Sequence, residues 1–329
     1  METTKLKRFA QYARRSLIEQ VSAKLKLVLS EDSAARRESV QAIKQLESAL
    51  HDAGKEQIIE RVAYIWFNRF CALRFMDLNR YNRVGVVSPA DPGQFQPEIL
   101  AEAKMGHIDE EMVHDKIRQK IFALLDGKAP SRDPQGEAYR LLVVAACNYW
   151  NKAVPFLFER IEDYTELLMP DDLLSGNSIL AHMREAISNQ LSVVSNEHEP
   201  ADNCTLNTEG LEVEVIGWLY QFYISEKQDE VFDGLKKNKN IPPENIPAAP
   251  QLFTPHWIVR YLVENSLGRL WLLNRPGSKL AEQMNYYIKP EQAETDFLRI
   301  GKPEEIKICD PACGSGHMLT YAFDQFCFA

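Results

Sequence analysis

Residues 306–319 read Ile-Lys-Ile-Cys-Asp-Pro-Ala-Cys-Gly-Ser-Gly-His-Met-Leu. The two isoleucines that flank a lysine at the start predict a short buried strand, and the apolar residues from 318 to 328 predict a helix. Gly314 and Gly316 therefore fall in a turn between a strand and a helix, where a backbone without Cβ atoms can approach a ligand closely. Asp310 lies at the carboxyl end of the predicted strand, which is where ligands bind in open α/β sheets.

Three interpretations of this turn can be compared from the residues alone. A dinucleotide-binding G-x-G-x-x-G fingerprint lacks its third glycine, because Leu319 occupies that position. A hydrolase turn, G-x-S-x-G around Ser315, is excluded because Cys313 and His317 stand where its glycines belong. A glycine turn without a ligand needs neither the preceding Asp-Pro pair nor two glycines, so a ligand-binding turn is favoured.

Composition sets broad limits on the class of protein. The 329 residues suffice for two domains with hydrophobic cores, and the 45% hydrophobic and 26% charged content is ordinary for a soluble protein. No apolar run approaches the roughly 20 residues that span a bilayer, and the first residues contain no secretion signal, which predicts a cytoplasmic protein without membrane contact. The net charge of −9 argues against a generally basic nucleic-acid binder. The six scattered cysteines form no C-x-x-C pair, so reduced thiols and no metal site are predicted.

Apolar residues recur at helical spacing along most of the chain. The predicted helices cover residues 6–29, 40–50, 55–80, 112–125, 139–150, 156–169, 178–187 and 211–226. The first two are expected to form a helical hairpin. Glycine and proline residues predict a loop over 85–97, and polar residues predict another over 195–207.

A proline-rich segment, residues 241–250, separates two parts of the chain. Its four prolines remove backbone donors and stiffen the chain into an extended linker. The sequence therefore predicts a helical amino-terminal domain over residues 1–240 and a second domain over 251–329. Directly after the linker, Thr254 is suited to cap a helix that has Pro255 in its first turn.

Two segments resemble motifs of one enzyme family. Residues 310–316, Asp-Pro-Ala-Cys-Gly-Ser-Gly, resemble motif I of the S-adenosylmethionine (SAM) dependent DNA adenine methyltransferases, and the Phe-Thr-Pro at 253–255 resembles their motif X. Motif X precedes motif I in the branch that includes type I modification subunits. Residues 63–70 and 217–227 are similar to the methyltransferases of BREX bacteriophage-exclusion systems, and the resemblance covers essentially the whole chain.

The resemblance implies that SAM is the cofactor and that residues of both motifs surround its methionine part. These residues are Phe253, Thr254, Pro255, Asp310, Pro311, Cys313, Gly314 and Gly316. Asp310 can balance the positive charges of the SAM ammonium and sulfonium groups. The expected fold is mainly α: a helical amino-terminal domain followed by the start of a Rossmann-like α/β methyltransferase domain, truncated after its first strand and helix.

Members of this family transfer the methyl group to N6 of a flipped-out adenine, which an Asn/Asp-Pro-Pro-Tyr/Phe motif holds. The only Pro-Pro pair here, Pro242-Pro243, follows Ile241 and precedes Glu244, so no catalytic residue is assigned. The chain is therefore expected to be an amino-terminal fragment that is inactive alone.

Double-stranded DNA is the expected partner, bound through the carboxyl-terminal part of the family's sequence that this chain lacks. The densest positive run here, formed by Lys236, Lys237 and Lys239, is most simply a solvated loop, and contact with DNA phosphates is the alternative. Other BREX proteins are further expected partners. The alternative function is a non-enzymatic helical interaction module of a defence complex.

Overall fold

The computed structural model describes residues 3–91, 93–155, 157–158, 164–194, 213–237, 254–290, 292, 294–313 and 316–327. Across these ranges the regular elements are helical, which confirms the mainly α prediction, and no strand is formed. The chain divides into two compact units, Met1–Leu211 with Phe222–Glu230, and Glu212–Gln221 with Val231–Ala329. The predicted linker over 241–250 lies outside the described residues, so the predicted domain boundary stays a prediction.

The first unit is a helical assembly. Its helices are α1 (Thr3–Leu29), α2 (Ala34–Glu38), α3 (Val40–Ala53), α4 (Lys55–Leu78), α5 (Glu98–Lys104), α6 (Asp115–Leu125), α7 (Pro134–Trp150), α8 (Tyr164–Leu167) and α9 (Ile179–Val194). Residues 222–230 of α10 (Val213–Lys236) also belong to this unit. The predicted helix over 156–169 is described only as the short α8, and the predicted loop over 195–207 lies outside the described residues.

Helix α1 buries one continuous apolar stripe, as its spacing predicted. The stripe comprises Leu6, Phe9, Ala10, Ala13, Leu17, Val21, Leu25 and Val28. It packs mainly against α4 and α9. The sequence predicted that α1 forms a hairpin with α3. This prediction is wrong, because the main partners of α1 are α4 and α9. Helix α4 is apolar around most of its circumference and offers α1 a larger surface to bury.

A polar cluster joins the carboxyl end of α4 to the loop that follows it. The Asp77 carboxylate accepts hydrogen bonds from the backbone N–H groups of Val86 and Val87 at 3.0 and 2.9 Å. It also accepts from the side chains of Ser88 and Asn82 at 2.7 and 2.6 Å. Burial raises the pKa of Asp77, and these hydrogen bonds act in the opposite direction. The predicted loop therefore begins as an ordered segment fixed to α4.

Three further side chains hold this loop from neighbouring helices. Arg74 Nη1 donates to Ser88 Oγ at 2.7 Å. The Tyr139 hydroxyl of α7 and Arg184 Nη1 of α9 donate to loop carbonyl oxygens at 2.9 and 3.2 Å. Burial lowers the pKa of Arg74 to about 10, although Asp77 partly opposes this. The cluster thus ties α4, α7 and α9 to one loop.

Thiol labelling should separate Cys71 and Cys147 from Cys309 and Cys313. Cys71 and Cys147 are buried, and burial raises the pKa of both, that of Cys147 to about 12. Cys309 and Cys313 are exposed. At neutral pH we expect a thiol reagent to modify Cys309 and Cys313 rapidly and the buried pair only after unfolding, as read by peptide mass spectrometry. Rapid modification of Cys71 or Cys147 in the folded protein would contradict the packing around α4 and α7.

The described elements of the second unit after residue 253 are short. They are α11 (His256–Val263), a π-helical turn (Glu264–Gly268), α12 (Arg269–Asn274), 3-10 turns at Lys279–Gln283 and Pro303–Glu305, and α13 (His317–Cys327). Two apolar clusters lie within it. One is centred on Trp271, Leu280, Met284 and Ile300, and the other on Val259, Val263 and Ala322.

The predicted buried strand before the glycine turn is not formed. Residues 306–310 are described without helix or strand, Ile306 packs at the edge of the Trp271 cluster, and Ile308 is 45% exposed. A strand needs a hydrogen-bonded neighbour, and no described segment pairs with these residues. The helix predicted after the turn is confirmed as α13, and the Rossmann-like start stays a prediction.

No described helix combines the length and the apolar character needed to cross a bilayer. Over the described residues, no group of three or more histidine, cysteine or acidic side chains is arranged to hold a metal ion.

Candidate functional site

Helices α11 and α13 pack directly against each other and bring two distant segments together. Val259 and Val263 of α11 form a buried cluster with Ala322 of α13. Partly buried side chains at its edge include Met318 and Tyr321. Because α11 begins directly after the predicted motif X and α13 directly after the predicted motif I, their packing sets the spacing between the two motifs.

The segment before α11 contacts the start of α13 through its backbone. His317 Nε2 lies 3.1 Å from the Thr254 carbonyl oxygen, and since a carbonyl can only accept, Nε2 carries the hydrogen. The predicted capping role of Thr254 is wrong: Pro255 is the N-cap and no side chain caps the helix. Proline fixes the backbone dihedral that precedes the first turn, so α11 can begin without a side-chain cap.

The glycine turn is closed by short-range hydrogen bonds. Asp310 Oδ1 accepts from the backbone N–H of Ala312 at 3.0 Å. The N–H of Gly316 donates to the Cys313 carbonyl at 2.8 Å, and Thr320 N–H donates to the Gly316 carbonyl at 2.9 Å. Gly316 has a φ of +75°, a conformation that favours glycine. Among the described residues, a Cβ added there would have Cys313 Sγ as a neighbour at 3.8 Å.

The eight residues assigned from the sequence fall into three groups. Thr254, Pro255, Asp310 and Gly316 are half-buried, Pro311 and Cys313 are exposed, and Phe253 and Gly314 lie outside the described residues. Thr254 and the residue after Gly316 are in contact. His317 was not among the assigned residues, because a single histidine after a glycine turn carries no signal of its own.

A buried polar network lies next to this contact and was not predicted. Glu264 has no exposed surface. Its Oε1 accepts from the Tyr321 hydroxyl at 2.9 Å and from Arg260 Nε at 3.3 Å, and its Oε2 accepts from the Tyr286 N–H at 2.6 Å. Burial and the hydrogen bond to Glu264 raise the pKa of Tyr321 to about 12, so the phenol stays protonated near neutral pH. The four-residue spacing of Arg260 and Glu264 was the one sequence signal for this network.

Comparison with known proteins finds two relatives that match most of the chain. No family model matches it. It is 39% identical over 292 residues to a protein of Escherichia coli O9:H4 (strain HS), covering 85% of this chain and 22% of the relative. It is 33% identical over 369 residues to a protein of Lacticaseibacillus casei (strain Zhang), covering 98% of this chain and 29% of the relative. Both are named as adenine-specific methyltransferases.

The chain is therefore related in sequence, over most of its own length, to proteins named as adenine-specific methyltransferases. The two relatives are BrxX in the Escherichia coli strain and PglX in the Lacticaseibacillus strain. The chain spans between a fifth and a third of their length, 22% of the first and 29% of the second.

Proposed function

We propose that this chain forms the part of a BREX adenine-specific DNA methyltransferase that holds the methionine end of SAM. One observation carries the proposal: the 3.1 Å contact between the Thr254 carbonyl and His317 Nε2 joins two segments 63 residues apart. These are the two segments that resemble the cofactor-binding motifs of the family. The names of both relatives support the reaction class.

The described residues fit the chemistry of the cofactor. SAM supplies a methyl group activated by a sulfonium, and its methionine end carries an ammonium and a carboxylate. The half-buried Asp310 provides a negative charge for the cationic groups. Gly316 offers a backbone surface without a side chain, next to Cys313 Sγ. Thr254, Pro255, Pro311 and Cys313 complete the proposed lining among the described residues. Phe253 and Gly314 lie outside the described residues and are assigned to the lining by the motif resemblance alone.

The proposed methyl acceptor is N6 of an adenine in double-stranded DNA, extruded from the duplex. The residues that hold this base are proposed to come from sequence other than these 329 residues, which contain no Asn/Asp-Pro-Pro-Tyr/Phe motif. In the lysine run, Lys236 is the last residue of α10 and pairs with Asp233 at 3.0 Å, so the loop prediction is wrong for Lys236, while Lys239 lies outside the described residues. Contact of this run with DNA phosphates stays the alternative. Other BREX proteins remain proposed partners.

Methyl-transfer assays test the proposal that this chain holds the cofactor and that other sequence holds the adenine base. We expect the purified 329-residue chain to leave no protein-dependent label in adenine-rich duplex DNA incubated with methyl-labelled SAM. The Escherichia coli relative assayed in parallel is the positive control. Protein-dependent labelling of DNA by the chain alone would overturn the proposal that the base-binding residues lie elsewhere. Absence of SAM binding in the same samples would favour the helical interaction module instead.

A further inference from the structure

Three residues of one helical face meet a single tyrosine of α13. His256, Arg260 and Glu264 are spaced four residues apart, so they lie on one side of α11 and of the turn that follows. Tyr321 packs edge-on against the His256 ring at 5.4 Å. Its hydroxyl lies 3.2 Å from Arg260 Nε and 2.9 Å from Glu264 Oε1. Tyr321 is therefore the point at which α13 is attached to this polar face.

Tyr321 is also well placed to control the glycine turn. It follows His317 by one helical turn, so both side chains project from the same face of α13. His317 contacts the Thr254 carbonyl, and Tyr321 contacts Glu264. These two attachments act at the start of α13, whose first turn contains the bond from Thr320 N–H to the Gly316 carbonyl. A shift of Tyr321 would therefore move the turn relative to Thr254.

Glu264 itself is held in place by its local backbone. It begins the π-helical turn Glu264–Gly268, a rare conformation that is often found at functional sites. Its second carboxylate oxygen binds the Tyr286 N–H, and the adjacent Asn265 binds the Tyr286 carbonyl and the Ile288 N–H, each at 2.8 Å. At Gly268, an added Cβ would collide with the Met284 sulfur. The carboxylate is thus fixed between the π-helical turn that carries it, the segment around Tyr286 and helix α13.

We propose that Glu264 is a positioning residue for the cofactor site. Through Tyr321 it holds α13 against α11 and so fixes the spacing between Thr254 and the Gly316 turn. Arg260 supports it with a positive charge next to the buried carboxylate and stacks over the Tyr286 and Tyr321 rings at 5.3 and 5.7 Å. The link to SAM rests on the proposed function, whereas the effect on the turn does not.

The test uses Tyr321→Phe and Glu264→Gln in the full chain, with two readouts. Hydrogen exchange of the amides of residues 316–320 reports the turn without any cofactor, and calorimetry reports SAM affinity. Both variants should accelerate exchange at the turn and weaken SAM binding by about 10-fold, the scale expected for one lost hydrogen bond to a charged group. The double variant should differ little from either single variant in both readouts, because the two residues share one contact.

Two matched controls separate positioning from general destabilisation. Tyr261→Phe removes the same hydroxyl from an exposed position of α11 and should change neither readout. Ile300→Ala opens the Trp271 cluster, which contacts α13 through Phe326 and does not include Glu264, and so lowers stability through a different contact of the same helix. The proposal is overturned if Tyr321→Phe leaves exchange at the turn unchanged, or if Ile300→Ala accelerates it equally at matched stability. If the wild-type chain binds no SAM but the two substitutions still accelerate hydrogen exchange at the turn, the proposed function fails and the positioning of the turn by Glu264 stands.

Discussion

Replacing Gly316 with valine is expected to abolish measurable SAM binding. Among the described residues, a Cβ at this position would meet Cys313 Sγ at 3.8 Å, an ordinary van der Waals contact that does not exclude a side chain. If the methionine end of SAM approaches this backbone, a branched side chain would occupy the space that the cofactor requires. Calorimetric titration of the variant against the wild-type chain measures the loss.

Backbone strain has to be separated from this steric effect. Any side chain at a φ of +75° costs about 1–2 kcal/mol of strain by itself. Gly127 is a matched control, because its φ is +72° and nothing lies within 4 Å of an added Cβ. Gly127→Val should carry the same strain and keep wild-type affinity. Equal affinity in Gly316→Val and wild type would show that SAM does not approach this turn.

Replacing Asp77 with asparagine is expected to lower the free energy of unfolding by about 3 kcal/mol, the scale for breaking a buried charged hydrogen-bond cluster. The carboxylate accepts four hydrogen bonds, two of them from backbone N–H groups. An amide has one acceptor oxygen and would turn its own N–H₂ group toward other donors. The buried Arg74 would also lose a nearby negative charge.

Urea unfolding followed by circular dichroism measures this loss. Asp52→Asn is the control, because Asp52 is exposed and, among the described residues, pairs with the exposed His51 at 3.3 Å. We expect the control to change stability by less than about 0.5 kcal/mol. Similar stabilities for Asp77→Asn and Asp52→Asn would mean that the loop after α4 contributes little to the fold.

The helices were predictable where an apolar period repeats over several turns. Helix α1 shows such a period, and its buried stripe matches the predicted positions. The Asp77 cluster was not predictable, because it joins the end of α4 to Val86 and Val87 of a loop and to residues of α7 and α9. Polar contacts of this kind depend on tertiary geometry and leave no period in the sequence.

The strand prediction failed for a related reason. Alternation of Ile306 and Ile308 describes what a strand would bury, but a strand exists only when a neighbour completes its hydrogen bonds. No described segment provides that neighbour, and Ile308 is left 45% exposed. Local pattern therefore predicted the helix after the turn, whose hydrogen bonds are internal, and not the element before it.

The candidate site was predictable as two segments and not as a set of contacts. Motif resemblance assigned Thr254 and Gly316 to one site, and the packing of α11 on α13 brings their segments together. Glu264 and Tyr321 lie 57 residues apart, and neither belongs to a motif. The hydrogen bond between them could be recognised only once both helices were in place.

Photo-crosslinking tests the central claim most directly. The 329-residue chain would be irradiated with methyl-labelled SAM, with and without excess unlabelled S-adenosylhomocysteine, and the labelled peptides would be mapped. The account predicts competable label in peptides that contain Thr254–Pro255 or residues 310–316, and its loss in Gly316→Val. Competable label confined to other peptides, or no competable label at all, would contradict the assignment of these two segments to a SAM site.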